Sequence, residues 1–60
     1  MLTTYVVQSK ADGDQWVDVA DFYDDGASLD YFVMLRLRGY PSELRRVCRT
    51  EEVLDYDIQS

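Results

Sequence analysis

Carboxylates are the reactive side chains that the first half of the sequence supplies most freely. Residues 1–30 contain seven aspartates and a single base, Lys10, so this half carries a charge of −6, whereas residues 31–60 contain five acids and five arginines and are neutral. A pair such as Asp24 and Asp25 can act as a general acid and base only in a pocket that separates their pKa values. Because a chain of 60 residues has little core around which to build such a pocket, we expect no enzyme.

Nucleophilic and metal chemistry lack the residue types that they need. The chain has no histidine to activate Cys48 or a serine, and a structural zinc site needs four Cys or His ligands. Calcium-loop patterns that begin at Asp12 or Asp21 fail where Trp16 or Tyr23 takes a ligand position. We therefore expect no catalytic residue, metal site or cofactor. A single cysteine forms no intrachain disulfide, which favours a reducing, cytoplasmic setting.

The aspartates recur every few residues, with aromatic side chains among them. Spaced carboxylates can take the place of nucleic-acid phosphates and meet Lys and Arg through charge-assisted hydrogen bonds. Aromatic neighbours supply the desolvated centre that a protein interface needs. Simple solubility is the competing explanation of the same charges. The sequence predicts a partner-binding set of eight residues: Asp12, Asp14, Trp16, Asp18, Asp21, Tyr23, Asp24 and Asp25.

Five arginines in the second half offer a different chemistry. They lie at positions 36, 38, 45, 46 and 49, with Tyr40 among them. Arginine binds phosphates and aromatic rings stack on bases, so this group could contact nucleic acid directly. The net charge of −6 opposes that contact because it repels a polyanion. We favour ion pairs with Asp55 and Asp57 across neighbouring strands instead.

Alternating residue patterns predict four strands. Residues 3–9 and 15–23 are rich in β-branched and aromatic side chains and flank an Asp-Gly pair at 12–13, which is a strong hairpin signal. Residues 44–50 and 53–59 alternate in the same way, although a helix over 41–54 is an alternative.

A helix is predicted between the two pairs of strands, from an N-cap at Ser28 to a stop at Gly39 and Pro41. Its core stripe would contain Leu29, Phe32, Val33 and Leu37. A strand over 28–38 is the competing interpretation, because the same residues also alternate. The chain is thus expected to be a single domain, 1–60, of the α+β class: a small two-layer β-β-α-β-β antiparallel sheet with one helix packed across it.

In size, charge and expected plan, the whole chain resembles the short acidic proteins of bacteriophages and mobile elements, among them anti-CRISPR and DNA-mimic inhibitors. The resemblance implies a non-catalytic inhibitor in the host cytoplasm. Its Asp-rich face would block a basic nucleic-acid-binding surface of a defence effector, such as a CRISPR-Cas complex, without touching nucleic acid or membrane. The alternative is a structural or oligomerising accessory domain, a homodimer that buries Tyr31, Met34 and Leu35.

Overall fold

Four strands and one helix make up the fold in a computed structural model, which describes residues 2–10 and 13–57. The elements are β1 (Tyr5–Ser9), β2 (Val17–Phe22), α1 (Asp25–Leu37), β3 (Leu44–Cys48) and β4 (Glu52–Asp57). All neighbouring strands are antiparallel, and they lie in the order β2-β1-β3-β4. The predicted α+β class and β-β-α-β-β order are therefore confirmed. The strand alternative for residues 28–38 and the helix alternative for residues 41–54 are wrong.

The core lies between α1 and one face of the sheet. Val7, Phe32 and Leu44 are buried together there. Four partly buried side chains pack around them: Phe22, Tyr31, Leu35 and Tyr40. The centre of the core thus combines one residue each from β1, α1 and β3, which fixes the helix across the inner strands.

The predicted core stripe of α1 is wrong at three of its four positions. Phe32 is buried, but Leu29, Val33 and Leu37 are exposed, Leu37 by 83%. The helix is rotated so that Tyr31 meets Phe22, with ring centroids 5.5 Å apart. Tyr31 and Leu35 on one flank of α1 therefore fill the core together with Phe32. The side chains on the other flank face solvent because α1 packs on β1, β2 and β3 rather than on β4.

The helix also starts earlier than the sequence predicts. Asp24 is the N-cap, and its carboxylate accepts a hydrogen bond from the backbone N–H of Ala27 at 2.9 Å. Gly26 lies inside the helix rather than in a turn, and Ser28 is fully buried, donating to the backbone carbonyl of Asp25 at 2.7 Å. The end of the helix is as predicted: Gly39 follows it with a φ of +74°, a left-handed conformation that glycine adopts without strain.

A buried arginine fastens the start of α1 to the sheet. Arg46 on β3 is 7% exposed. Its guanidinium donates to Asp55 on β4 at 2.7 Å, to the hydroxyl of Ser28 at 2.9 Å, and to the carboxylate of Asp25. The predicted pairing of arginine with Asp55 is thus confirmed.

The second predicted acceptor, Asp57, pairs with Arg36 at 3.0 Å. Its partner comes from the helix rather than from a neighbouring strand. Arg36 thus joins the end of α1 directly to β4, the strand on which the helix does not pack. At the start of α1, Asp25 is connected to Asp55 on β4 only through Arg46 on β3.

Candidate functional site

The sheet face opposite α1, here called the open face, carries the candidate site. Within residues 2–10 and 13–57, no helix or strand packs on it. Side chains alternate along each strand, so the register assigns its members. Val7 faces α1, which places Val6 and Gln8 on the open face. Their cross-strand neighbours and the residues that follow the same alternation join them: Asp18 and Asp21 from β2, Arg45 and Val47 from β3 with Arg49 directly after it, and Val53 and Tyr56 from β4.

Two valines of the open face are buried although no element of the described residues covers them, whereas Val53 is 48% exposed. Val6 is 0% exposed and Val47 is 9% exposed. The long side chains of Gln8, Arg45 and Arg49 surround Val47, and the apolar parts of such side chains exclude solvent. The open face is therefore a built layer of side chains rather than bare sheet.

Hydrogen bonds join this layer into a chain across three strands. Arg49 donates to one carboxylate oxygen of Asp18 at 2.7 Å, and the amide of Gln8 donates to the other at 2.8 Å. The carbonyl oxygen of Gln8 accepts from Arg45 Nε at 2.7 Å. The strand register explains this row of hydrogen bonds, because Gln8 is directly opposite both Asp18 and Arg45.

These contacts fix the charges of the layer. The hydrogen bond from Gln8, followed by that from Arg49, lowers the pKa of Asp18 below its ordinary value of 3.8, against the opposing effect of burial. The bond to Asp18 raises the pKa of Arg49 in turn. Both groups are therefore charged at neutral pH, and Gln8 is held between Asp18 and Arg45.

An aromatic cluster continues the layer toward β4. The guanidinium of Arg45 lies 4.3 Å from the ring centroid of Trp16, and Lys10 Nζ lies 5.3 Å from it. Tyr56 meets Trp16 edge-on with centroids 5.4 Å apart, and its hydroxyl donates to Glu43 at 2.7 Å. That hydrogen bond raises the pKa of Tyr56 above 10.0, so its hydroxyl remains a donor.

A shallow pocket of about 400 Å³ opens on this face between Arg45 and Arg49. Its lining combines guanidinium groups with apolar side chains of β3 and β4. The full lining is Gln8, Arg45, Val47, Cys48, Arg49, Glu51 and Val53. Such a mixture suits a small charged group that carries some apolar surface.

The structure brings together part of the predicted partner-binding set. Trp16, Asp18 and Asp21 lie on or beside the open face. Asp14 is exposed in the turn that leads into β2. Asp12 lies outside the described residues. The hairpin therefore carries a local acidic surface next to an aromatic ring.

The rest of the predicted set lies at the junction of β2 and α1. Tyr23 is 75% exposed there. Asp24 caps the helix and Asp25 pairs with Arg46, which faces α1 from the other side of the sheet. Asp24 and Asp25 are thus used in holding the helix and do not extend the acidic surface of the hairpin.

Gln8, Arg45 and Tyr56 are among the residues of the open face that the predicted partner-binding set does not contain. The alternation of β1 places Gln8 on the other face of the sheet from Val7, and this is the one local signal for the position of Gln8. The roles of Arg45 and Tyr56 depend on which strands are neighbours, and this is not visible in any short segment.

The comparisons with known proteins give no assignment: no protein-family model, curated protein or solved structure matches the chain. Over residues 2–10 and 13–57, no three His, Cys, Asp or Glu side chains are grouped to hold a metal ion. In the same part of the chain, no helix has the length and apolar character needed to cross a membrane.

Proposed function

We propose that this chain is a non-catalytic binding protein that docks through its open face and the adjoining acidic residues of β2 on the basic, nucleic-acid-binding surface of a partner protein. By resemblance, a host defence effector such as a CRISPR-Cas complex is the first class of partner to test, and the consequence of binding would be inhibition.

The observation that carries the proposal is the composition of the open face. Trp, Tyr and Arg are the residue types enriched in the energetic centres of protein interfaces, and Trp16, Tyr56 and Arg45 are in contact here. Their mutual contacts and the hydrogen bond from Arg45 to Gln8 hold them in place before binding. A preorganised surface loses less side-chain entropy when it binds.

Acidic residues beside this cluster favour a basic partner. Asp14 and Asp21 are exposed along the hairpin, while Asp18 is exposed but paired with Arg49. All three belong to the half of the chain that carries all of the net charge. Complementary charge steers association and fixes the orientation of two surfaces. A nucleic acid is a poorer fit, because three of the five arginines, Arg36, Arg46 and Arg49, already pair with aspartates.

The face rather than the edge of the sheet is the expected contact. Both edge strands carry a β-bulge, at Val19 in β2 and at Leu54 in β4, where the register shifts by one residue. Bulges and charged side chains prevent another strand from adding to an edge. A partner strand would therefore not extend this sheet regularly.

Capture from nuclease-treated bacterial lysate tests the proposal. The experiment immobilises three proteins: the wild type, Asp21→Asn and the charge-matched control Asp30→Asn. The lysate proteins that each one recovers at low and at high salt are quantified by mass spectrometry. Asp21 lies on the open face and Asp30 on the exposed side of α1. A genuine partner should be recovered about 1.4- to fivefold less by Asp21→Asn, because an exposed ion pair contributes about 0.2–1 kcal/mol, and should be lost at high salt. Equal recovery by all three proteins would contradict the proposal.

A further inference from the structure

Within the described part of the chain, Arg45 presents a guanidinium that is held in place but has no ion-pair partner. Its Nε donates to Gln8 and its plane lies over Trp16, which restricts the side chain on two sides. Across residues 2–10 and 13–57, no carboxylate lies within ion-pair distance of Arg45, whereas Arg46 and Arg49 each pair with aspartate. The terminal nitrogens of Arg45 are thus oriented donors toward an anion from outside.

The pocket of the open face lies directly beside this guanidinium. Arg45 and Val47 on β3 and Arg49 directly after the strand alternate onto one side, so the two arginines flank the valine at roughly 13 Å from each other along the chain. Val47 and Val53 are cross-strand partners and provide apolar surface in the pocket. A ligand here would contact a cation and methyl groups together.

The charges around the pocket select the kind of anion. Arg49 is already paired with Asp18, and Glu51 contributes a further negative charge to the lining. One uncompensated guanidinium suits one planar, singly charged carboxylate, which it can bind through two parallel hydrogen bonds. A phosphate or a nucleic-acid strand would bring more negative charge to a protein of net charge −6.

We propose that this pocket binds the carboxylate of an acidic side chain on the partner protein, with Arg45 as the binding residue and Val47 and Val53 against the methylene groups. The inference rests on the proposed function, because it takes the partner to be a protein. It adds that the partner's basic surface carries an acidic residue at one position. Acids on β2 and Arg45 on β3 would then fix the orientation of the complex.

The test is an NMR titration of the full chain with N-acetyl-glutamate amide, a capped amino acid with one free side-chain carboxylate. The Nε–H signal of Arg45 and the indole N–H signal of Trp16 should shift saturably. The capped glutamine analogue should cause no saturable shift, because it lacks the charge. Equal shifts with glutamine, saturation by inorganic phosphate at lower concentration, or shifts confined to other arginines would each overturn the proposal.

Variants assign the binding to Arg45. Arg45→Gln should abolish the saturable shift of Trp16, and Arg45→Lys should weaken it about tenfold, because lysine keeps the charge but loses the paired donors. Arg38→Gln, on the far side of the molecule at the end of α1, should change nothing. If Arg45→Gln disturbs the amide spectrum, Arg45→Lys provides the test instead. Glutamate binding as tight in Arg45→Lys as in the wild type would contradict recognition of the carboxylate by two paired donors.

The outcome is separable from that of the proposed function. The glutamate titration is read on the wild-type chain alone, whereas the capture experiment compares the wild type with Asp21→Asn. If Asp21→Asn weakens capture but the glutamate titration shows no saturable shift, this inference is wrong and the proposed function stands. If the titration shows saturable binding but capture does not depend on Asp21, the pocket stands and the proposed basic partner is wrong.

Discussion

Arg46 is the residue on which the connection between helix and sheet depends most. Burial by itself would lower the pKa of its guanidinium, but the hydrogen bonds to Asp55 and Asp25 outweigh burial and raise it. The group therefore stays charged inside the protein with carboxylates on two sides. Ser28 completes its contacts, and within residues 2–10 and 13–57 every buried side-chain polar atom has a hydrogen-bond partner.

Removing Arg46 should strongly destabilise the fold. Arg46→Ala opens a cavity in the interior and leaves Asp25, Asp55 and Ser28 without their shared donor. We expect a loss of about 3 kcal/mol in the free energy of unfolding, the lower end of the range for breaking a buried pair, since both aspartates keep access to water. Urea denaturation measures it. Arg38→Ala, at an exposed position, is the control. A loss of stability in Arg46→Ala no larger than that in Arg38→Ala would contradict this account.

Asp18 makes the stability depend on pH. Its pKa is lower in the folded protein than the ordinary value of 3.8, so the unfolded chain takes up a proton at higher pH than the folded one. The contribution of Asp18 is present above that ordinary value and is lost as the pH falls through the folded pKa. Urea midpoints between about pH 5 and pH 2 should therefore fall more steeply for the wild type than for Asp18→Asn. Parallel curves for the two proteins would exclude the network as a source of stability.

At the scale of elements, the helix N-cap is a single residue with a measurable effect. Asp24→Ala removes the carboxylate that accepts from the N–H of Ala27 and should lower the free energy of unfolding by about 1 kcal/mol. Thermal unfolding followed by circular dichroism measures the change. Asp30→Asn, which changes one exposed carboxylate within the same helix, should stay close to wild type. Comparable losses in both variants would mean that charge rather than capping is responsible.

The elements themselves could be predicted because their signals are local. Alternation, the Asp-Gly turn and the glycine stop at Gly39 are contained in a few residues each, and all four strands and the helix exist where these signals indicate. The start and rotation of α1 could not be predicted in this way. Ser28 has the chemistry of a cap, and its use as a buried partner of Arg46 becomes visible only once β3 lies beneath it.

The candidate site was predictable to the extent that it lies within one hairpin. Trp16, Asp18 and Asp21 are close in sequence and share β2 or its approach. Gln8 and Arg45 are neighbours only because β1 and β3 pair, which joins residues 37 positions apart. The order β2-β1-β3-β4 is a property of the whole chain, so no short pattern could show this contact.

At the scale of the whole molecule, self-association through the helix is the alternative to partner binding. The surface available for self-association differs from the predicted one. Tyr31 and Leu35 pack on the core, and the exposed apolar residues of α1 are Leu29, Val33 and Leu37. Three side chains fall short of the roughly 1,200 Å² that stable interfaces bury. We expect a monomer in sedimentation at low micromolar concentration. A dimer that Leu37→Glu dissociates would instead support an oligomerising domain.

The central claim is that the open face of the sheet is the surface that binds a protein. NMR mapping of the complex with the partner recovered in the capture experiment tests it directly. Binding should change the side-chain signals of Trp16, Arg45 and Gln8 while the methyl signals of Leu29 and Leu37 on the exposed side of α1 stay unchanged. Changes confined to those helix methyl groups, with the Trp16 and Arg45 signals unmoved, would contradict the account.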